Sequence, residues 1–321
     1  MTPNIPVRAL VNPVAPSLLQ GALAITDWGA IRAVGEDARA FLHGQLTQDM
    51  LHLDAASARL AGYCSAKGRL LASFVVWQRS PTEVLMACSA DLLTATLKRL
   101  SMFVLRAKCK LSDASADLPL FGLAGADVQR ALGPAAPARA WGRGTVDSAD
   151  IVRLPDAAGV PRFLWVGEPL PALPALAPDA WAWLEVQSGV VRIVAATADR
   201  FVPQMVNLEV VGGVNFQKGC YPGQEVVARS QYRGTLKRRA FLFDSEAEAK
   251  PGMELYSSLD PDQPAGMVAT AAAVPDGSGR FALLAESKIA ALEAPAVLHL
   301  GSASGPVLRP AALPYDFPAE A

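Results

Sequence analysis

The stretch FQKGCYPGQEVVARSQYRG, residues 216–234, sets a cysteine in a tight turn between two glycines, directly before a short helical pattern. Gly219 and Gly223 allow backbone conformations closed to other residues. Pro222 has no N–H and suits the first turn of a helix. Glu225 stands four residues before Arg229, a favourable helical pair, and Gly234 is placed to end the helix. Cys220 therefore lies just ahead of a helix N-terminus and beside Lys218, and both features favour the thiolate. Core packing requires neither the turn nor the lysine, so the spacing predicts an available, reactive thiol. Arg229, Arg233, Lys237, Arg238 and Arg239 follow. Such a run serves equally as a solvated face or as a site for an anion, a glutamate tail or a phosphate.

The segment around this turn, from Asp199 to Arg239, is rich in glycine and polar residues and has little helical or strand period, as expected at a domain junction. Upstream, residues 21–34 read as two short strands around a turn, and Glu36-Asp37 open a helix carrying Phe41 and Leu42. A hairpin follows, ARLAGYC and RLLASFVVWQ about Ser65–Gly68, then a strand EVLMACS. Leu93, Leu97, Leu100 and Val104 form one apolar helical stripe, and AKCKLSD returns as a strand. From residue 118, a strand LPLFGLAG and a helix ADVQRALG precede a loop, APARAWGRG, and a hairpin about Ala157-Ala158-Gly159. EPLPALPALAP is a connector too broken by proline for regular structure. Asp179 is expected to cap the helix AWAWLEVQSG, which Gly189 ends. After residue 238 come short strands divided by turn clusters, an all-β module of small-barrel type. Hairpins mixed with helices favour an α+β fold over a doubly wound parallel sheet.

The 321 residues suffice for two or three domains, and an apolar share of 51% fits a well-packed globular protein. A net charge of −1 gives no global pull towards nucleic acid or membrane, so such binding would need a local patch. No apolar run reaches the length of a membrane helix, and the start lacks a charged-then-apolar signal layout, so a cytoplasmic location is expected. Cys64, Cys88, Cys109 and Cys220 show no C-x-x-C spacing, so no metal site is expected, and the first three read as core residues. Of the tryptophans, Trp28, Trp77, Trp165, Trp181 and Trp183 suit core packing or a stacking cavity. His43, His52 and His299 have no partner at ligand spacing.

Lys218-Gly219-Cys220-Tyr221-Pro222-Gly223-Gln224-Glu225 resembles the K-G-C-[FY]-x-G-Q-E signature of the YgfZ family, folate-binding relatives of the glycine-cleavage T-protein. FLHGQLTQD at 41–49, CSAKGRL at 64–70, FVPQMVNLE at 201–209 and LPY at 313–315 extend the likeness over nearly the whole chain. The resemblance implies three domains in a ring of the aminomethyltransferase type. These are a folate-binding α+β domain over 17–115 completed by 190–237, a second α+β domain over 116–189, and a C-terminal β-barrel over 238–318. It implies tetrahydrofolate or a one-carbon derivative as cofactor and Cys220 with Lys218 as the working pair. Gly219 and Gly223 are then structural, and Gln187, Asn207, Tyr221, Gln224, Glu225, Arg229 and Arg239 are candidates for holding folate.

The family supports iron–sulfur proteins, among them an enzyme that methylthiolates tRNA. The expected partners are thus folate and, transiently, iron–sulfur client or assembly proteins, with no stable nucleic-acid binding, no membrane and a monomeric state. Two alternatives stay open: a folate-dependent one-carbon transferase, and an RNA-binding module built on residues 229–239. The transferase lacks its base, because the strand where the T-protein keeps an aspartate reads GRLLASFVVW here, without a carboxylate. Relatives also read E-A-G where this chain has Gln187-Ser188-Gly189, so an amide replaces a carboxylate there. Glu185 lies on a different face of the helix, a poor substitute.

Overall fold

A computed structural model of the chain describes residues 14–232, 236–292 and 295–318. Arg233 and Gly234, and with them the expected end of the motif helix, lie outside the described residues, as does the proline-bearing start up to residue 13.

Three antiparallel sheets carry the fold. In chain order the first elements are β1 (Gly21–Ala24), β2 (Trp28–Val34), α1 (Ala38–His43), β3 (Ala58–Cys64), β4 (Leu70–Ser80), β5 (Glu83–Ser89), α2 (Ala90–Ser101) and β6 (Lys110–Asp113). β2 to β6 form the first sheet, in the order β3-β4-β5-β2-β6. Its middle strands are buried on both faces, because α2 lays its Leu93 and Leu100 on one side and the second sheet closes the other. The second sheet, β1-β7-β10-β9-β8, draws on β7 (Leu120–Ala124), β8 (Arg143–Val146), β9 (Ala149–Ala157) and β10 (Val160–Val166), with α3 (Ala126–Leu132) against it. The hairpin between β9 and β10 turns at Ala158 and Gly159, at φ 50° and 75°, the mirror-image turn that suits the twist of a tight hairpin.

β1 and β2 exist as read, but they part company. β1 pairs with β7 in the second sheet, while β2 pairs with β5 and β6 in the first. The proline-rich connector explains the parting: Ala22 donates to Pro174 O at 2.8 Å and accepts from Leu176 N at 2.9 Å. That broken segment thus lends β1 a parallel bridge at Ala175. The loop reading of APARAWGRG also needs correction at its end, where Arg143 begins the edge strand β8.

Helix α4 (Pro178–Gln187) starts with proline at its first position after Ala177, so Asp179 sits inside the first turn rather than capping it. Its Trp181 lies flat on β7: a Cβ at Gly122 would come within 2.6 Å of the indole. Helix α5 (Gln224–Tyr232) precedes the third sheet, made of β11 (Arg238–Ser245), β12 (Glu254–Ser257), β13 (Asp260–Ala273), β14 (Phe281–Lys288), β15 (Leu298–Leu300) and β16 (Arg309–Ala311). These run in the order β15-β12-β13-β14-β11-β16. The sheet curls into a half-barrel around Phe243, Leu255, Val268 and Leu283, and α4 packs on its strand β13. The α+β class is therefore observed, with an open, curled sheet at the C-terminal side.

Between α4 and α5 the chain is irregular, and side chains rather than a ladder hold it. Thr47, fully buried, donates its hydroxyl to Gly213 O at 2.6 Å and accepts from Gly62 N at 2.7 Å. Asn207, fully buried at φ 57°, donates to Ala240 O at 2.8 Å and to the Tyr315 hydroxyl at 3.2 Å. Tyr315 in turn donates to Gly189 O at 2.8 Å, and its ring leaves no room for a Cβ there. The LPY motif thus ties the end of α4 to the junction. Tyr315→Phe strips Gly189 O and Asn207 of a partner and is expected to cost about 1–3 kcal/mol, read as a lower urea midpoint at unchanged slope.

Candidate functional site

The motif turn is built by pressing two backbones together. The β3–β4 hairpin turns through Ser65–Arg69, with Gly68 N donating to Ser65 O at 2.9 Å. Gly223, at φ 77°, lies against it so closely that a Cβ would stand 2.3 Å from Ser65 O and 2.6 Å from Gly68 N. A Cβ on Gly68 would in turn strike Val226 of α5 at 2.8 Å. The glycines of CSAKGRL and KGCYPGQE are therefore required by contact with each other.

Lys218 anchors the turn from the other side. Its ammonium is buried and donates to His43 O and, at 2.7 Å, to Leu46 O, the free carbonyls at the end of α1. The Tyr221 ring lies 4.8 Å away. Burial pushes the Lys218 pKa down to about 8, against the pull of the Asp49 and Cys220 charges. Lys218 thus spends its N–H groups on backbone, and Cys220, two residues on, is left exposed to solvent. The other thiols differ. Cys64 and Cys88 are buried, which raises their pKa to about 12, and burial of half-exposed Cys109 raises its own to about 11.

One cluster beside the turn escaped the sequence reading. Asp49 binds both His43 Nδ1, at 3.0 Å, and His52 Nδ1, at 2.6 Å. Burial opposes the Asp49 charge, but the His52 hydrogen bonds, the His52 charge and the Leu51 N–H outweigh it and hold the pKa down at about 2. The far nitrogen of His43 faces the motif, 3.4 Å from where a Gly219 Cβ would stand. Burial, helped by the Lys218 charge, lowers the His43 pKa. The histidines were read as partnerless because α1 ends at His43 and only the fold-back after it brings Asp49 round.

The candidate folate residues do not converge. Tyr221 is buried beside Lys218, while Gln224, Glu225 and Arg229 line the first turns of α5, with Glu225 and Arg229 exposed and no ion pair between them among the described residues. Asn207 is consumed by the junction. Arg239 pairs with Glu209 at 2.7 Å, reaches Asn207 Oδ1 at 3.3 Å and stacks over Phe317. Gln187 is buried, and its Nε2 has no partner.

A cavity lies elsewhere, where the first two sheets meet the end of α4, with an enclosed volume of about 40 Å3 that opens to solvent. Trp28, Trp141 and Phe74 give it apolar walls, and Ser73, Arg162 and Glu185 give it polar ones. Two donors there are buried without partners among the described residues: Trp28 Nε1 and Arg162 Nη1. Burial drives the Arg162 pKa down to about 10, against Glu185 and Asp156. Glu185 meets Arg192 at 3.3 Å, and Arg192 also binds Asp27 at 2.5 Å and lies over the Trp28 ring. Of the five tryptophans singled out from sequence, only Trp28 lines this space. Trp77 and Trp165 are fully buried in cores, and Trp181 and Trp183 are buried on α4. Trp141, at φ 62° in the stretch read as loop, was missed. Glu185 faces the cavity together with Ser188, whereas Gln187 between them is not part of its wall.

No family model matches the chain. Among characterised relatives, it is 34% identical over 259 residues to the tRNA-modifying protein YgfZ of Edwardsiella ictaluri, spanning 71% of this chain and 72% of that one. To the tRNA-modifying protein YgfZ of Sodalis glossinidius it is 30% identical over 311 residues, spanning 91% and 92%. Among solved structures, the glycine cleavage system aminomethyltransferase T from Bartonella henselae superimposes with a TM-score of 0.70 at 15% identity, covering 92% of this chain and 86% of that one. That likeness shows a shared fold.

The lowered pKa of Lys218 has a signed consequence. Between about 8 and its unfolded value near 10.5, the unfolded chain holds a proton that the folded one has released, so the Lys218 contribution to stability rises with pH across that window. Denaturant titrations at pH 7.5, 9 and 10.5 are expected to show wild type gaining on Lys218→Met as pH increases. A constant difference would mean that the two carbonyls keep the ammonium fully protonated.

Proposed function

The chain belongs to the YgfZ family, and we propose that it supports tRNA modification as a folate-binding protein that presents Cys220 to its partners. The observation that carries the folate half is the lining of that cavity: two buried donors without partners among the described residues, Trp28 Nε1 and Arg162 Nη1, and a carboxylate, Glu185, on one wall. Buried donors are costly to leave without partners, so their orphaning marks a site that a polar ligand completes. A reduced pterin fits that set: its edge carries both acceptors for the Trp28 and Arg162 N–H groups and donors for Glu185. Trp28, Trp141 and Phe74 offer faces for a flat ring. Folate, when bound, supplies a carrier for one-carbon groups.

Cys220 is the thiol suited to meet other proteins, since it is exposed on a turn fixed by Lys218 and Gly223 while Cys64 and Cys88 are buried and Cys109 is half-buried. Following the family resemblance, the clients are iron–sulfur enzymes that act on tRNA, met transiently. One-carbon transfer of the T-protein kind is less well supported, because β4 turns Ser73 rather than a carboxylate to the cavity, and that hydroxyl already accepts from Ile193 N at 2.9 Å. Binding of RNA by residues 229–239 is also less well supported, because Arg238 and Arg239 are committed to Glu286 and Glu209.

Calorimetric titration with tetrahydrofolate tests the first half. Wild type is expected to bind at about micromolar Kd and Arg162→Met at least about tenfold more weakly, a loss of ~1.4 kcal/mol. Absence of heat from the folded wild type would remove folate. Complementation tests the second half, in a bacterium deprived of its own YgfZ. This chain should restore methylthiolated nucleosides in tRNA and Cys220→Ala should not, at equal abundance and Tm. Full restoration by Cys220→Ala would take the thiol out of the mechanism.

A further inference from the structure

A second, larger space lies between the half-barrel and the β3–β4 turn, on elements the folate reading does not use. It holds about 290 Å3, at the lower edge of the range of small-molecule sites, roughly 300–1,000 Å3. Its charged lining is Arg69 from the hairpin turn, Arg200 from the junction, Arg238 from β11, Glu254 from β12 and Glu286 from β14. Phe201, Met205, Pro264 and Met267 supply apolar wall.

The charges are not balanced. Glu286, almost fully buried, is taken by Arg238 at 2.5 Å. Glu254 sits exposed at the rim, accepting from the Tyr256 hydroxyl at 2.8 Å. Arg69 and Arg200 have no carboxylate partner among the described residues. Arg69 spends one N–H on Arg200 O, which holds the two guanidinium-bearing segments together. Two guanidinium groups without a carboxylate partner among the described residues, beside a Glu286 already paired with Arg238, present a face suited to an anion, and guanidinium forks match carboxylate and phosphate oxygens. The adjacent phenyl and thioether groups reward an apolar body.

We propose that this space binds a small organic anion, a carboxylate or phosphate carried on an apolar body. The ligand would touch the same hairpin turn that packs on Gly223, so the site is contiguous with the motif loop while separate from the cavity at Trp28 and Arg162.

The test uses the full chain and 8-anilinonaphthalene-1-sulfonate, an anion on an aromatic body, followed by its fluorescence. Wild type is expected to bind the probe saturably, and the double variant Arg69→Gln/Arg200→Gln at least about tenfold more weakly at unchanged Tm. Met267→Trp keeps every charge but fills the space, and should weaken binding similarly. Arg69→Lys should retain most of the affinity, and Arg162→Met, in the other cavity, all of it. Displacement by glutarate would assign the site to carboxylates, and displacement by inorganic phosphate to phosphates. Equal binding by wild type, the double variant and Met267→Trp would overturn the proposal. So would displacement by neither small anion, or by tRNA alone, which would make the arginines a polyanion surface.

Discussion

The ammonium of Lys218 is driven into the end of α1, where the carbonyls of His43 and Leu46 accept its protons, and the placement of the motif loop follows from that burial. A helix end exposes carbonyls that need donors, and a buried lysine needs acceptors, so each satisfies the other where water is scarce. Because the anchor sits two residues before Cys220, the loop cannot sink its cysteine into the core. Gly223 then closes the turn against Gly68 at a distance no side chain permits. The result is a thiol held at the surface by groups that are themselves buried.

How much of this was legible depends on the range of the contacts involved. Strand alternation and the Ala158-Gly159 turn are local signals and appear where the residues predict them, whereas the α2 stripe holds only through Leu93, Leu97 and Leu100, because the helix ends at Ser101 and leaves Val104 outside it. The need for glycine at 223 was read from its turn. Its cause, the backbone of residues 65–68, was not, since two segments far apart in sequence meet there. Asp49 is the clearest failure. It lies six residues from His43 and three from His52 in a segment that is neither helix nor strand, and only the irregular fold-back joins them. Arg162 and Trp141 were invisible for a related reason. One looks like a strand residue and the other like part of a loop, and only the meeting of two sheets turns them towards one cavity.

The same distinction separates residues of the motif that hold the structure from residues that can meet a ligand. Asn207 and Arg239 were candidate binding groups through the family resemblance. Their hydrogen bonds go to Ala240, Tyr315 and Glu209, and burial of Glu209 raises its pKa against the pull of Arg239. Polar groups buried at a junction are required to satisfy one another before they can serve anything else. Among the groups left over are two N–H donors in one cavity and, in another, two guanidinium groups without a carboxylate partner among the described residues.

The pairing of β1 bears on the order of folding. The first sheet is built largely from neighbouring hairpins, β3-β4-β5, whose contacts close short loops and form early. β1 precedes them in the chain, yet its partners are β7 and the connector at Pro174–Leu176, all synthesised much later. It must stay unpaired while the sheet beside it condenses, an exposed strand edge in a half-made molecule. Its four residues, GALA, are well suited to that wait: short, small and glycine-led, they offer a stray edge little to hold.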